Sequence, residues 1–279
     1  MLKIALSGGS GYIGSNLIKK INLKKVKLIL IENKRKINLK SFLKININIK
    51  KNKINLFKKI GSPNIFVHLA WPNLNNHNSK KHFQTCNAHF NFLKNLIDNG
   101  LKNLIVSGTC FEYGNKKNIL KESQKITNPI TNYAKAKNRL RIRLENLKKK
   151  KKFNFTWLRL FFIYGETYKS KKQTNLWSQI IKNEIKNKKN FNMTSGKQIR
   201  DYLHIEKVSD YICKIILKNK SFGIVNICSG KKNNLKENVL KWKKKYKLKS
   251  HFIFNKQKLK KYEPHMIVGS NLKLKKILS

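Results

Sequence analysis

The sequence predicts an α/β protein with a doubly wound parallel sheet and a small C-terminal lobe. Short apolar runs alternate with helix-like segments, and a glycine-rich turn links the first run to the first helix. The length of 279 residues is sufficient for one large domain with an appended lobe. Because helices separate successive strands, we expect parallel strands with crossover helices on both faces of the sheet.

The strands and helices are predicted from apolar periodicity along the chain. Five runs are predicted strands: Lys3–Ser7, Val26–Ile31, Ile65–Ala70, Leu104–Ser107 and Phe155–Phe162. Four segments are predicted helices: Lys80–Asn99, Thr131–Lys150, Thr174–Asn187 and Glu206–Asn219. A last short strand is predicted at Gly223–Cys228. We assign residues 1–165 to the sheet domain, with a return at about 197–230, and residues 166–196 and 231–279 to the lobe. The lobe is polar and short, so we expect it to lean on the first domain without a separate core.

The chain is strongly basic, with 64 Lys and Arg against 12 Asp and Glu and a net charge of +52. Its 40% hydrophobic residues support a packed core, which excludes a disordered polycation. Lysine supplies nearly all of the positive charge and recurs in almost every segment, whereas specific phosphate and base recognition favours arginine. We therefore expect loose, salt-sensitive binding to polyanions and no specific nucleic-acid partner.

Neither a membrane nor a metal is predicted as a partner. The apolar runs are far shorter than the ~20 residues that span a bilayer. Strand-like sequence begins at Leu2, which leaves no room for a signal peptide, so we expect a cytoplasmic protein. The four cysteines form no CxxC pair, and His68, His77, His82 and His89 lack regular ligand spacing.

Glycines at positions 8, 11 and 14 lie directly between the first strand and the first helix. Gly8 permits the tight turn, Gly11 lets the backbone approach a pyrophosphate, and Gly14 lets helix and strand pack closely. Tyr12 and Ile13 lie between them at the start of the helix, whose free N–H groups attract phosphates. The turn predicts a Rossmann-type dinucleotide site formed by these five residues.

Glu32 ends the second predicted strand, where a carboxylate can accept hydrogen bonds from the ribose hydroxyls of a dinucleotide. Asn33, the next residue, is assigned to the same cofactor site. Lys34 and Arg35 are close enough to pair with a 2′-phosphate instead. NAD is therefore the predicted cofactor, with NADP as the alternative, and a solvated strand-end carboxylate is the other explanation of Glu32.

A tyrosine followed four residues later by a lysine occurs three times: Tyr113/Lys117, Tyr133/Lys137 and Tyr168/Lys172. Only Tyr133/Lys137 falls on a predicted helix, where this spacing places both side chains on one face. An adjacent ammonium lowers the pKa of a phenol and prepares it for proton transfer. Thr109 follows a predicted strand, at the carboxyl edge of the sheet where ligands bind. A helix tyrosine packed against the sheet beside a solvated lysine would explain the pair equally well.

Seven segments in order carry a resemblance that covers nearly the whole chain. They are Gly8–Gly14, Val67–Ala70, Ser107–Gly114, Tyr133–Lys137, Leu158–Phe161, Arg200–His204 and Asn226–Gly230. With them the chain resembles the extended short-chain dehydrogenase/reductases of the nucleotide-sugar epimerase/dehydratase family. The resemblance implies that Tyr133 is the catalytic acid/base, Lys137 its partner and a ligand of the cofactor ribose, and Thr109 the hydroxyl that holds the substrate oxygen.

The same resemblance implies further binding residues and a dimer. Leu69 and Ala70 belong to the implied cofactor site, and Asn87 and Arg200 to the implied substrate site. Phe162 occupies a position near the substrate nucleotide that usually carries Asn. Members of the family commonly pair two long helices into a four-helix bundle, so we expect a homodimer. Its expected contacts are Phe83, Phe90, Leu93 and Leu140.

Departures from the family pattern narrow the reaction. In the 4,6-dehydratases of this family an Asp and a Glu follow the catalytic Thr, whereas this chain has Cys110 and Phe111 there. Neither side chain exchanges protons as a carboxyl pair does, so dehydratase activity is excluded. Glu112 is expected to form a salt bridge. Trp71 is assigned to a hydrophobic wall of the substrate site, which would suit a 6-deoxy methyl group.

These observations favour an NAD(P)-dependent nucleotide-sugar oxidoreductase that reduces the 4-keto group of an NDP-4-keto-6-deoxyhexose. One alternative is an NDP-sugar 4-epimerase that keeps NAD tightly bound. A further alternative is a Rossmann protein that binds a nucleotide or a polyanion without catalysis.

Overall fold

A computed structural model describes residues 1–32, 43–46, 54–124, 127–165, 175–259 and 263–279. The strands are β1 (Leu2–Ser7), β2 (Val26–Glu32), β3 (Leu43–Asn46), β4 (Ile65–His68), β5 (Asn103–Thr109), β6 (Asn154–Leu160), β7 (Phe162–Tyr164), β8 (Asn190–Asn192), β9 (Ile199–Arg200), β10 (Tyr202–His204), β11 (Gly223–Ile227), β12 (Asn233–Asn234), β13 (His251–Ile253) and β14 (Met266–Ile267). The helices are α1 (Tyr12–Lys20), α2 (Leu56–Lys59), α3 (Lys81–Asp98), α4 (Asn132–Lys150), α5 (Leu176–Ile185), α6 (Ile205–Lys218), α7 (Leu235–Lys245) and α8 (Leu272–Leu278), with a short 3-10 helix at Cys110–Tyr113. Within these ranges, none of the helices has the length and hydrophobicity to cross a bilayer.

Among the described residues, seven parallel strands form the central sheet in the order β3-β2-β1-β4-β5-β6-β11. The strand order reverses between β1 and β4, which opens a crevice at their carboxyl ends. The glycine turn follows β1, and Thr109 is the last residue of β5. The predicted doubly wound α/β fold is confirmed, and it places both predicted sites at one edge of the sheet.

Helices cover both faces of this sheet. One face packs against α1, α6 and α8, and the other against α2, α3 and α4. Leu93 and Leu140 are fully buried between their helices and the sheet. These two leucines are therefore unavailable as contacts between subunits, contrary to our expectation. Phe83 and Phe90 are only partly buried.

The lobe has an apolar cluster of its own, although we expected none. Its buried members are Trp177, Ile180, Met193, Leu235, Val239, Trp242 and Leu248. These residues come from segments separated by many lysines, so no single stretch of sequence has a strongly apolar character. The last helix, α8, packs instead on the sheet domain through Leu274 and Ile277, although the sequence assigned it to the lobe.

Candidate active site

The glycine turn is shaped by close backbone contacts. Gly8 has a φ of +81°, and a Cβ atom there would lie 2.6 Å from the Ala70 nitrogen. A Cβ atom at Gly14 would lie 2.2 Å from the Gly8 carbonyl oxygen. Gly11 precedes α1 and has no side chain to cap it, so the N–H groups of its first turn keep their capacity for an anion. These features fit the pyrophosphate of a dinucleotide cofactor.

The close approach at Gly14 leads to a stability and binding prediction. We expect Gly14→Ala to destabilise the protein by about 1–3 kcal/mol, because the methyl group forces helix and turn apart. NAD affinity should fall with it. Gly11→Ala is the matched control, since its Cβ atom would lie 3.1 Å from the Gly8 carbonyl oxygen and needs a smaller shift. Urea unfolding of both variants and NAD titration of Gly14→Ala measure these effects, and an equal loss of stability in the two variants would contradict the steric argument.

Other predicted cofactor residues surround the turn. Leu69 donates its backbone N–H to the Ser7 carbonyl at 3.0 Å, which holds the Leu69–Ala70 segment against the turn. The Tyr12 hydroxyl donates to the Gly165 carbonyl at 2.9 Å, so it ties α1 to the end of the sheet domain. Ile13 lies in the first turn of α1.

Glu32 ends β2, and its backbone pairs in register with Asn46 of β3. Asn33, Lys34 and Arg35 lie outside the described residues. We expect modestly tighter binding of NADH than of NADPH, because the Glu32 carboxylate would repel a 2′-phosphate. Parallel titrations with the two cofactors test this, and tenfold tighter NADPH binding would assign the adenosine end to Lys34 and Arg35.

Thr109 and Tyr133 come together at the carboxyl edge of β5. The Thr131 hydroxyl caps α4 by accepting from the Ala134 N–H at 3.2 Å, which starts the helix just before Tyr133. Tyr133 donates its backbone N–H to the His77 carbonyl at 2.8 Å. Its phenol forms a side-chain hydrogen bond with Thr109. The structure therefore joins the two hydroxyls that the sequence predicted to act together.

The Tyr133 phenol is protonated at neutral pH. Burial raises its pKa above the usual value near 10, and the charges of Glu112 and Cys110 raise it further. The Thr109 hydrogen bond opposes this shift. The direction differs from our expectation of a lowered pKa, because burial of the phenol outweighs the contributions that lower it. A protonated phenol is suited to donate a proton.

Lys137 is buried one helical turn beyond Tyr133. Its Nζ donates to the Ser107 carbonyl of β5 at 2.6 Å and lies 4.1 Å from the centroid of the Trp71 ring. Burial lowers the pKa of this lysine to about 7. Trp71 is itself buried and contacts Tyr133 edge to face, with ring centroids 6.2 Å apart. The predicted substrate wall is thus placed behind the catalytic pair, against Lys137.

Glu112 is fully buried beside the predicted catalytic residues. Its carboxylate accepts hydrogen bonds from the Thr109 N–H at 2.8 Å, the Trp157 indole N–H at 3.0 Å and the Arg159 guanidinium at 2.9 Å. The predicted salt bridge is confirmed. This carboxylate holds the end of β5 in place, so its contacts with the protein leave it unsuited to exchange protons with a ligand.

A buried histidine chain is the part of the site that the sequence did not predict. Ser7, directly before the glycine turn, hydrogen bonds through its hydroxyl with His68 at 2.6 Å, and His68 bonds with His89 at 2.8 Å. Burial lowers the pKa of His68 well below its usual value and that of His89 to about 3, so both are neutral. Four histidines between positions 68 and 89 were the available signal, although no regular spacing united them. No group of three potential metal ligands occurs among the described residues.

The predicted substrate residues lie in different environments. Asn87 lies on the exposed face of α3, where it accepts from Arg143 of α4 at 2.8 Å. It therefore joins two helices instead of facing the catalytic pair. Phe162 packs between the rings of Phe111 and Tyr202, with centroids 5.8 and 5.4 Å away.

Arg200 is buried close to Phe162, with its guanidinium carbon 5.4 Å from the ring centroid. It donates to the carbonyls of Ile199 and His265 at 3.0 and 3.2 Å. Its other terminal nitrogen lies 3.5 Å from the Glu263 carboxylate. A phosphate contact by Arg200 therefore stays a prediction that requires the guanidinium to exchange these partners.

Comparison with known proteins agrees with this geometry. The model of the "NAD dependent epimerase/dehydratase family" matches residues 4–228. A dTDP-6-deoxy-L-talose 4-dehydrogenase (NAD(+)) from Aggregatibacter actinomycetemcomitans is 26% identical in an alignment 277 residues long, which covers 96% of this chain and 100% of the relative. A solved UDP-glucose 4-epimerase has a TM-score of 0.84 at 18% identity, with 99% of this chain and 91% of that chain covered. MoeE5 in complex with UDP-glucuronic acid and NAD has a TM-score of 0.81 at 16% identity, with 99% and 92% covered.

The fold and the glycine turn define an NAD-dependent α/β enzyme. The chain belongs to the NAD dependent epimerase/dehydratase family. The predicted family and the predicted cofactor, NAD, are confirmed.

Proposed function

We propose that this enzyme reduces the 4-keto group of an NDP-4-keto-6-deoxyhexose with NADH. The observation that carries the proposal is the proximity of the Thr109 hydroxyl to a buried Tyr133 phenol at the carboxyl edge of the sheet. A keto oxygen held between these hydroxyls would have one group to position it and one to protonate it. The similarity to a 4-dehydrogenase acting on a dTDP-6-deoxyhexose, over the whole length of both chains, supports this substrate class.

The residues of the chain divide the work of this reaction. When bound, NADH supplies the hydride. Tyr133 donates its phenolic proton to the keto oxygen, which becomes a hydroxyl, and Thr109 holds the same oxygen by a hydrogen bond. Lys137 would contact the cofactor ribose, and the glycine turn would hold the pyrophosphate through its backbone N–H groups.

The surroundings of Thr109 argue against dehydration. Elimination of water needs a second acid/base pair beside the Thr, and Cys110 and Phe111 occupy those positions. Burial raises the pKa of the Cys110 thiol to about 12, so this thiol does not act as a base at neutral pH. Glu112, the nearby carboxylate, already accepts hydrogen bonds from three protein groups. These contacts favour reduction without loss of water.

A panel of 4-keto sugar nucleotides tests the proposed function. The purified enzyme is incubated with NADH and NDP-4-keto-hexoses that differ in having a 6-methyl or a 6-hydroxymethyl group, and NADH absorbance is followed. We expect NADH consumption and a higher kcat/KM for the 6-deoxy compounds. In a parallel arm the enzyme is given NAD and NDP-hexoses that carry a 4-hydroxyl. Inversion of these sugars at carbon 4, with no NADH consumed on the keto sugars, would identify a 4-epimerase, and release of water would identify a dehydratase; either result would overturn the proposal.

A further inference from the structure

The buried Trp71 ring contacts both Tyr133 and Lys137, the proposed catalytic pair. One face of the indole carries the Lys137 ammonium, 4.1 Å from the ring centroid. The ring also contacts Tyr133 edge to face at 6.2 Å. Trp71 is thus the side chain that touches both members of the Tyr/Lys pair, although it follows a strand far from α4 in sequence.

Two histidines fix the orientation of this indole. Trp71 donates its N–H to His82 Nδ1 at 3.1 Å, and the other nitrogen of His82 bonds with the Asn76 carbonyl at 2.8 Å. His89 contacts the ring edge to face, with centroids 5.1 Å apart. His89 is in turn held by His68. The indole is therefore held from two directions by hydrogen-bonded groups, so the site under Lys137 is preorganised.

We propose that Trp71 is a positioning residue that holds the Lys137 ammonium in its buried site by a cation–π contact. The inference rests on the proposed catalytic role of Lys137. Burial disfavours the charged form of this lysine, whereas the quadrupole of an indole face favours it. The Lys137 ammonium donates to the Ser107 carbonyl at 2.6 Å and lies 3.5 Å from the Ser107 hydroxyl, so the ring supplies attraction from another side.

Other charged or titratable groups surround Lys137. His68 lies on β4, His89 and Cys86 lie on α3, Glu112 lies in the 3-10 helix, and Arg141 lies one turn further along α4. Both histidines are neutral at physiological pH. Burial also raises the pKa of Cys86, so its thiol stays neutral. Lys137 is therefore the group in this cluster that changes charge near pH 7.

The stability of the ligand-free protein reports this ionisation. The folded-state pKa of Lys137, about 7, is lower than the ordinary value of 10.5. Between these values the unfolded chain binds a proton that the folded chain has released, so the free energy of unfolding rises with pH. The rise begins near the folded-state pKa. Lys137→Met lacks this contribution, so the difference between the parent and Lys137→Met isolates it.

The experiment measures urea unfolding of ligand-free protein across the neutral and alkaline range, with and without Trp71. In Trp71→Leu we expect the rise to begin about one pH unit lower than in the parent, because a desolvated cation–π contact that favours the ammonium is lost. Trp71→Phe keeps an aromatic face, so its onset should lie between that of Trp71→Leu and that of the parent. Each Trp71 variant is also made in the Lys137→Met background, where its cost should not depend on pH.

An unchanged onset in Trp71→Leu and Trp71→Phe would overturn the inference and leave Trp71 as a packing residue. The same pH dependence of the Trp71→Leu cost in both backgrounds would also overturn it. If Trp71→Leu does not fold, Trp71→Phe is decisive: an onset at lower pH than in the parent supports the inference, and an unchanged or higher onset overturns it. The measurement uses no sugar substrate, so a shifted onset supports the inference whether or not the enzyme turns over a nucleotide sugar. Absence of turnover would count only against the proposed function.

Discussion

Tyr133→Phe is expected to lower kcat by about 10²- to 10⁴-fold, the usual effect of losing a positioned general acid. The substitution removes the hydroxyl that bonds with Thr109 and keeps the ring that packs against His77 and Trp71. The fold and NAD binding should therefore survive. Steady-state kinetics on the active substrate, with NAD titration and thermal unfolding as checks, measures the effect.

Two variants serve as controls for Tyr133→Phe. Thr109→Val should cost less in kcat, since it removes a supporting hydrogen bond and not the transferred proton. Tyr113→Phe removes a buried hydroxyl that donates to Asn226 at 2.8 Å, so it should cost about 1 kcal/mol of stability and leave kcat within a few-fold of the parent. Tyr168, the third tyrosine of the repeated pattern, lies outside the described residues. Turnover of Tyr133→Phe at the parental rate would contradict the mechanism.

Glu112→Gln should have the largest effect on stability, a loss of about 3–5 kcal/mol. The substitution leaves the buried Arg159 guanidinium without its counter-ion. It also turns an amide N–H₂ group towards a site where both carboxylate oxygens accept hydrogen bonds. A protein of this size should then unfold at a temperature lower by roughly 10 °C. Calorimetry or circular dichroism on heating measures the change.

Glu145→Gln provides the matched control for this loss. Glu145 pairs with Arg141 one helical turn away, but its side chain is 36% exposed. Solvent weakens such a pair, so we expect a cost of about 0.3–0.5 kcal/mol. If Glu112→Gln and Glu145→Gln lost similar amounts of stability, burial would not be the reason that the Glu112–Arg159 pair stabilises the protein.

The fold was predictable, and the proposed catalytic residues could be selected, because their signals are local. Alternating strands and helices, and three glycines in one turn, follow from spacing along the chain. The same holds for the four-residue interval between Tyr133 and Lys137. The predicted helix Lys80–Asn99 agrees closely with α3, Lys81–Asp98.

The rest of the site depends on contacts between segments that are distant in sequence. Glu112 of the 3-10 helix meets Arg159 of β6, and His68 of β4 meets His89 of α3. Nothing local distinguishes these residues from ordinary polar side chains. Trp71 was predicted to face a sugar because it follows β4, whereas packing turns its ring towards Lys137. The core of the lobe was missed for the same reason, since its apolar residues are few in each segment and gather only on folding.

Isotope transfer tests the central claim most directly. The enzyme is given NADH deuterated at the transferable position of the nicotinamide, together with an NDP-4-keto-6-deoxyhexose, and the product is examined by mass spectrometry and NMR. We predict one deuterium on carbon 4 of the sugar for each NADH consumed, and its loss in Tyr133→Phe. Recovery of the unreduced keto sugar, with NADH unconsumed and no deuterium on carbon 4, would contradict the account.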